Sequence, residues 1–307
     1  MKDNRWRWLV WSSSVLLLLV IATQWSQLHR IQDGGSLRVA NHVAMWVTMC
    51  GAVFAFPFIA KKQAIILLVG VAVLVRLAFW QAPVSDDVNR YLWEGQVILK
   101  GENPYAHTAD HPEWTDHRNE YWDAMNHRDH PTAYPPGMEL VMAGSSWIWN
   151  DLRVFKVVAL LGDIWTLIAL ALLLIAYKKP IRWLGFYAFN PVVLASFAAE
   201  AHLDSLMVGA LLSALLMARK GSWKWVFFWL GIAIQMKWMV AILLPYFLVR
   251  GDWKKSWVLG LVLIIPSYFF REDLLQGVAG LLRFGRTGAF NGGIYETLRW
   301  VGLAETT

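Results

Sequence analysis

Apolar residues in this chain fall mostly in long unbroken runs, and polar residues collect between them. The first run is about Trp8–Trp25, followed by a short polar turn from His29 to Arg38 that contains Gly34-Gly35. A second run, about Val39–Ala60, ends at Lys61-Lys62, and a third covers about Gln63–Trp80. A helix needs roughly 20 apolar residues to cross hydrocarbon, so these runs predict three membrane spans. The basic start Lys2 to Arg7 and the pair Lys61-Lys62 then fall on the cytoplasmic side, and the interval after Gln81 lies outside. The first run is too long for a signal-peptide core, and no clear small-x-small cleavage site follows it, so it reads as an uncleaved span.

The interval from about Gln81 to Gly137 is the one long polar stretch. It far exceeds the roughly 12–15 residues of a structureless connection, so it should hold structure of its own. The pattern predicts a helix from Ser85 to about Lys100, with Ser85 as N-cap and Asp86 and Asp87 in the first turn, where the helix dipole favours negative charge. Gly101 and Asn103-Pro104 stop it. Asp86, Arg90 and Glu94 are four apart and share a face, with Asp87 and Tyr91 beside them. Ala106 to His130 is a second polar part, rich in His, Asp and Trp.

Met138–Trp149 is apolar but too short to cross, and reads as a half-helix returning to the outer surface. Val154–Tyr177 is a full span ending at Lys178-Lys179. Trp183–Ala199 comes back out and places Glu200, His202 and Asp204 on the side of Asp86 and Asp87; Leu206–Ala218 returns to Arg219-Lys220. Trp223–Arg250 is basic at both ends, too long for one span and too short for two. Two short helices meeting near Lys237 resolve this, because irregular backbone is tolerated at depth where it lines a polar cavity. Trp257–Phe270 is a further span, and the tail Arg271–Thr307 lies outside with Arg283 and Arg286. The fold class expected is all-α: a polytopic transmembrane helical bundle, residues 1–307 forming one membrane domain, with a partly helical loop over 81–137.

Composition sharpens this. The chain is 57% hydrophobic and only 16% charged, against roughly 25% charged residues in a soluble domain. Its 20 Trp suit the headgroup level of a bilayer. The net charge of +6 sits in short clusters between apolar runs, which is a topology signal and not a nucleic-acid one. The single Cys50 excludes an intrachain disulfide.

The chemistry concentrates in Ser85-Asp86-Asp87-Val88-Asn89-Arg90-Tyr91-Leu92-Trp93-Glu94-Gly95, then Gly101-Glu102-Asn103-Pro104-Tyr105 and Pro131-Thr132-Ala133-Tyr134-Pro135-Pro136-Gly137. With Asn190-Pro191, the segment Glu200-Ala201-His202-Leu203-Asp204, and Lys237 before Leu243-Leu244-Pro245, this set resembles integral-membrane glycosyltransferases of the GT-C superfamily. The closest likeness is to bacterial polyprenyl-phosphate-mannose-dependent mannosyltransferases, over roughly residues 63 to 255. The resemblance implies a polyprenyl-phosphate sugar donor, a glycan or lipid acceptor hydroxyl outside the membrane, typically inversion, and the bacterial inner membrane as location. Such enzymes usually carry further spans, so the chain reads as a short member, a fragment, or one part of a pair.

Inverting transfer needs one base for the acceptor proton. By its place in the motif that base is Asp86, with Asp87 second. Without the motif, Ser85-Asp86-Asp87 reads as a helix cap with Arg90 as its partner one turn on. The leaving phosphate needs cations. Lys237 is the first candidate, since a lysine in an apolar hairpin needs an anionic partner, followed by Arg90, Arg283 and Arg286. Glu94, Tyr91, Glu200, His202 and Asp204 are candidates for sugar or acceptor hydroxyls, and the last three for a divalent cation. The spacings of His107, His111, His117, His127 and His130 fit no zinc pattern, so no metal site is expected there. Trp93, Trp114 and Trp122 read as interface anchors or sugar-stacking rings. Inside the spans, Arg76 is close enough to the outer end to snorkel, and Asp163 needs a partner on a neighbouring helix. The rival class, a transporter or lipid flippase, should show paired halves with matching interruptions, and none is visible.

Overall fold

Most of the apolar runs are helices in a computed structural model, which describes residues 4–30, 35–277, 282, 297, 300 and 301. The chain runs through α1 (Arg5–Arg30), α2 (Gly35–Phe54), α3 (Lys61–Ala78), α4 (Asp87–Leu99), α5 (Glu120–Ala124), α6 (Pro136–Ile148) and α7 (Arg153–Ala176). It continues through α8 (Gly185–Ala188), α9 (Pro191–Val193), α10 (Asp204–Arg219), α11 (Trp223–Met236), α12 (Leu244–Arg250) and α13 (Trp257–Tyr268). Among the described residues there is no strand. Arg5–Trp25, Ser36–Phe54 and Arg153–Ala176 are long and apolar enough to cross a bilayer. The bundle leaves Leu16, Ile264 and Ile242 well exposed, ordinary for a lipid-facing surface and costly in water. This is an all-α membrane protein.

Three apolar cores meet on α7. Leu167 and Ala171 join the core made by α1, α2, α3 and the segment from Leu184 to Ala199. Val154, Phe155 and Ala159, nearer its start, join a second core with Val88, Tyr91 and Leu92 of α4 and Met138 and Met142 of α6. Trp165 packs on the third, built from α10 to α13. Gly95 is what lets α4 lie close on α6. A Cβ there would sit 2.6 Å from the carbonyl oxygen of Met142, so any side chain would push the two helices apart.

The run Trp183–Ala199 is not one helix, contrary to its even hydropathy. A 3-10 turn at Ile181–Leu184 leads into α8, which stops at Asn190-Pro191. Pro191 has no N–H to continue the ladder, and the Asn190 side chain caps the next turn by accepting from the N–H groups of Val192 and Val193. Leu194–Ala199 is then wound as a π-helix. Trp223–Arg250 divides as its charges suggest: α11 ends at Met236, Lys237 is extended (φ −155°, ψ 119°), and a 3-10 turn over Trp238–Leu243 leads into α12.

Arg76 does not snorkel. It is buried, its Nε 2.5 Å from Asp163 Oδ2 and its Nη1 donating to the carbonyl of Ala188 at 2.7 Å. One ion pair therefore joins α3, α7 and α8 inside the bundle. A guanidinium in an apolar interior needs a counter-charge and acceptors together, and those are what α7 and α8 supply. Asp163→Asn should cost roughly 3–5 kcal/mol by stranding the guanidinium. The double replacement Arg76→Leu with Asp163→Leu should recover most of that loss. Thermal unfolding of the purified chain in detergent measures both, and equal losses would refute the pairing as a source of stability.

Candidate active site

The polar loop begins where two helix ends are tied down. Lys156, buried near the start of α7, donates to the carbonyls of Phe79 at 3.2 Å and Ala199 at 2.8 Å. Phe79 ends α3 and Ala199 ends the π-helix, so one ammonium ties the two ends together, sharing the Phe79 carbonyl with the Ala82 N–H. Just beyond, the Ser85 N–H donates to the Glu200 carbonyl at 3.0 Å. Residues 85–87 and 200–204 are thereby fixed side by side. Ala201 turns between Glu200 and His202 with φ 64°, a left-handed conformation that costs a non-glycine residue about 1–2 kcal/mol.

Helix α4 starts one to two residues later than the spacing predicts. Asp86, not Ser85, is its N-cap, its carboxylate accepting from the Asp87 N–H at 3.1 Å and from the Ser85 hydroxyl at 3.1 Å. Asp87 accepts from the Asn126 amide at 2.8 Å and lies 3.7 Å from His202 Nδ1. The other ring nitrogen of His202 is 3.5 Å from Glu200 Oε2. Burial alone would lower the imidazole pKa, but Glu200, Asp87 and Asp204 around it outweigh burial and raise it.

Asp86 and Asp87 open onto a cavity of about 450 Å³. That is within the roughly 300–1,000 Å³ of small-molecule sites. Asn126 and Tyr134 wall it from the returning loop, and Lys237 and Trp238 from the break after α11. Burial raises the Tyr134 hydroxyl pKa far above the ordinary phenol range, so it stays a hydrogen-bonding group. Lys237 therefore lines the same cavity as the acid pair. Its Nζ is already 2.6 Å from Asp204 Oδ1, so these two candidates form one ion pair at the rim. The ammonium has three N–H groups and Asp204 takes one.

Arg90 sits in the cavity wall with all three nitrogens engaged. Nε donates to Glu94 Oε1 at 2.8 Å, Nη1 to the His127 carbonyl at 2.9 Å and Nη2 to the His130 carbonyl at 2.7 Å. It does not pair with Asp86 or Asp87, so the i,i+4 partner suggested by spacing is the wrong one of two. Glu94 is buried behind the wall and does not reach the cavity. Its second oxygen is 3.3 Å from the Thr132 hydroxyl, which donates to Glu139 of α6 at 2.6 Å. Tyr91 is likewise buried, with Tyr134 and Phe155 against its ring. Glu94 and Tyr91 are thus placed to hold the loop on the bundle rather than to touch a sugar.

Trp93 and Trp114 meet edge-on in a small core under the loop, with Val97, Ala109 and Met125. Neither presents a ring face to the cavity. Arg283 and Arg286 lie outside the described residues. Sequence reasoning passed over Lys156, Asn126 and Glu139, and took Thr132 only as part of the Pro131–Gly137 motif. Lys156 and Glu139 are visible as charges inside apolar segments, the signal that marked Asp163; Asn126 and Thr132 carry no such mark. Gly137, in the Pro135-Pro136-Gly137 turn, donates to Gln235 Oε1 at 2.8 Å, and a Cβ there would lie 2.6 Å from Gln235 Cβ. That turn seats α6 against α11, in keeping with a structural role.

Residues 10–250 match the family model described as alpha-(1->6)-mannopyranosyltransferase, N-terminal domain. That is more than half of the chain, and the chain belongs to this family of membrane mannosyltransferases. No curated protein and no solved structure matches it.

Arg90→Lys keeps the charge and loses the fork. It should cost roughly 1–3 kcal/mol for each buried acceptor left unpaired and speed limited proteolysis between Asp110 and Arg128; an unchanged cleavage rate would show that the clamp does not hold the loop. His202 gives a pH dependence. Its folded pKa is raised, so its stabilising share is fully present below the ordinary imidazole value of 6.5 and is lost as pH rises through the folded value. The stability gap between wild type and His202→Asn, followed by chemical denaturation from pH 5 to pH 9, should shrink with rising pH. A gap that widens would refute the assignment.

Proposed function

We propose that this chain moves a mannosyl unit from a polyprenyl-phosphate donor to an acceptor hydroxyl on the extracytoplasmic side, with inversion at the anomeric carbon. The observation that carries the reading is one cavity lined by both an acid pair and a lysine, in a chain of a mannosyltransferase family. In the proposed step Asp86 accepts the proton of the acceptor hydroxyl as its oxygen bonds to C1. The bond between C1 and the phosphate oxygen breaks, and both its electrons leave with the polyprenyl phosphate. A phosphate ester is a stable anion, so the site needs no strong acid opposite the base. Lys237 faces the leaving group with the N–H groups that Asp204 does not occupy, supplying charge where it develops.

Asp87 is held on two sides, by Asn126 and His202, and acts by fixing the start of α4 and the position of Asp86. Asp204 keeps the Lys237 ammonium at the cavity wall. His202 is 3.7 Å from Asp87 and Glu200 is 3.5 Å from His202, and these two are assigned to acceptor or sugar hydroxyls. The family description carries an alpha-(1->6) linkage. An inverting enzyme that forms an alpha bond must start from a beta-linked donor, so donor anomer and product anomer are tied together.

Turnover of polyprenyl-phosphate sugars in liposomes tests this. Beta-linked mannose should be transferred, and the glucose and arabinose donors should be slower. Asp86→Asn should lower kcat by about 100-fold or more, the usual contribution of a general base, with unfolding temperature unchanged. Lys237→Met should depress turnover while Asp204→Asn does so less. Full activity in Asp86→Asn would remove that residue from the chemistry, and an alpha-linked product formed from an alpha-linked donor would exclude inversion.

A further inference from the structure

The polar loop carries a second cluster, away from the cavity. His107 Nε2 is 2.7 Å from Glu113 Oε2. The His107 and His111 rings lie parallel, 8° apart with centroids at 4.1 Å. One ligand atom from each of His107, His111 and Glu113 falls within 4.8 Å of the others. We infer that these three side chains form a divalent transition-metal site of the zinc class, one that pins the loop.

The backbone around the cluster is fixed in a way that suits this. His107 and His111 straddle a turn closed by the His111 N–H on the Thr108 carbonyl at 3.0 Å. Asp110 N–H donates to the Arg128 carbonyl at 3.0 Å, and the Thr108 hydroxyl to Asp110 Oδ1 at 2.6 Å. Pro112 then starts a 3-10 turn that carries Glu113 back toward His107. Buried Ala109, between the two histidines, and Trp114, next to Glu113, anchor the segment in the core under the loop.

The chemistry of the donors selects the ion. Two imidazoles and one carboxylate are the set that zinc takes where three protein ligands leave one position for water. Calcium and magnesium would want oxygen ligands throughout. Tetrahedral geometry with bonds of roughly 2.0–2.1 Å requires ligand atoms about 3.3 Å apart, so the half-buried, stacked imidazoles must turn until their nitrogens converge with the exposed Glu113 carboxylate. His111 Nδ1 accepts from the Glu113 N–H only at 3.4 Å, a long contact that coordination through that nitrogen would replace. The linear spacing resembles no zinc pattern because the third ligand is a carboxylate two residues past the second histidine. The site bears on the loop's packing through its neighbours: His107 stands 6.0 Å from the Trp114 ring, which meets Trp93 of α4. It rests on no assumption about sugar transfer.

The test uses the full chain in detergent with any affinity tag removed, stripped with EDTA and titrated with Zn²⁺ against a chromophoric chelator. Wild type should bind about one equivalent, as expected for a three-ligand site, with an upward shift in unfolding temperature. His107→Ala with His111→Ala should lose both; His117→Asn, which is not one of the three ligands, should keep both. Where the double variant does not fold, Glu113→Gln at an exposed position serves, and should weaken Zn²⁺ binding by at least roughly tenfold. Co²⁺ substitution should give the absorption bands of a four-coordinate site in wild type. No Zn²⁺ taken up by the stripped wild type, or equal uptake by the variants, would overturn the inference.

Discussion

The guanidinium of Arg90 decides the shape of this protein's polar face. It is buried, so its charge must be met, and Glu94 one turn along α4 meets it. Its two remaining nitrogens reach the carbonyls of His127 and His130, nearly forty residues away in the chain. A planar fork with donors in fixed directions is suited to gripping a helix and a returning loop at once, which an ammonium is not. The grip is continued through Glu94 and Thr132 to Glu139, at the start of α6. Loop, α4 and bundle are thus one hydrogen-bonded body, and the cavity wall is a consequence of it. Asp86 and Asp87 stand at the rim because the turn below them is spent on structure.

Irregular backbone occurs on both sides of that rim. One stretch is the π-wound end at Leu194–Ala199 with the left-handed Ala201 after it, and the other is extended Lys237. Backbone that departs from a helix inside a membrane protein leaves polar groups that must be met locally. Lys156 meets the first set from below, while the second opens toward the cavity. The two breaks do the same geometric work. Each ends a helix early enough for a charged side chain, Asp204 or Lys237, to stand at the rim instead of inside the bundle, and the two then pair.

Much of the architecture was legible in the chain. Apolar runs located α1, α2, α3 and α7, capping residues and acids located α4 to within two residues, and misplaced cations located the break at Lys237. What stayed hidden has a common cause. Arg90 has acids at both i−4 and i+4, and a linear sequence treats them alike; the fold chooses Glu94 because it is buried in the body of α4, whereas Asp86 caps the exposed end. The stripe Asp86, Arg90, Glu94 therefore divides between rim and interior. Lys237 and Asp204 are 33 residues apart, and Arg76 and Asp163 are 87 apart, so each pair could be read only as two charges wanting partners. Pro191 was visible, but the hydropathy around it was even enough to suggest a single span.

Charge around the cavity constrains how a phosphate-bearing donor would sit on the reading proposed here. Of its lining cations, Arg90 is neutralised by Glu94 and Lys237 shares its charge with Asp204. Asp86 and Asp87 together carry more negative charge than His202 can offset. An anionic donor is repelled by that wall, so its phosphate belongs against Lys237, with the sugar extended toward the acids. In that orientation C1 lies between leaving group and base, the in-line arrangement that inversion demands. The acid pair would thus contribute twice, first by excluding the phosphate from its own side and then by taking the proton.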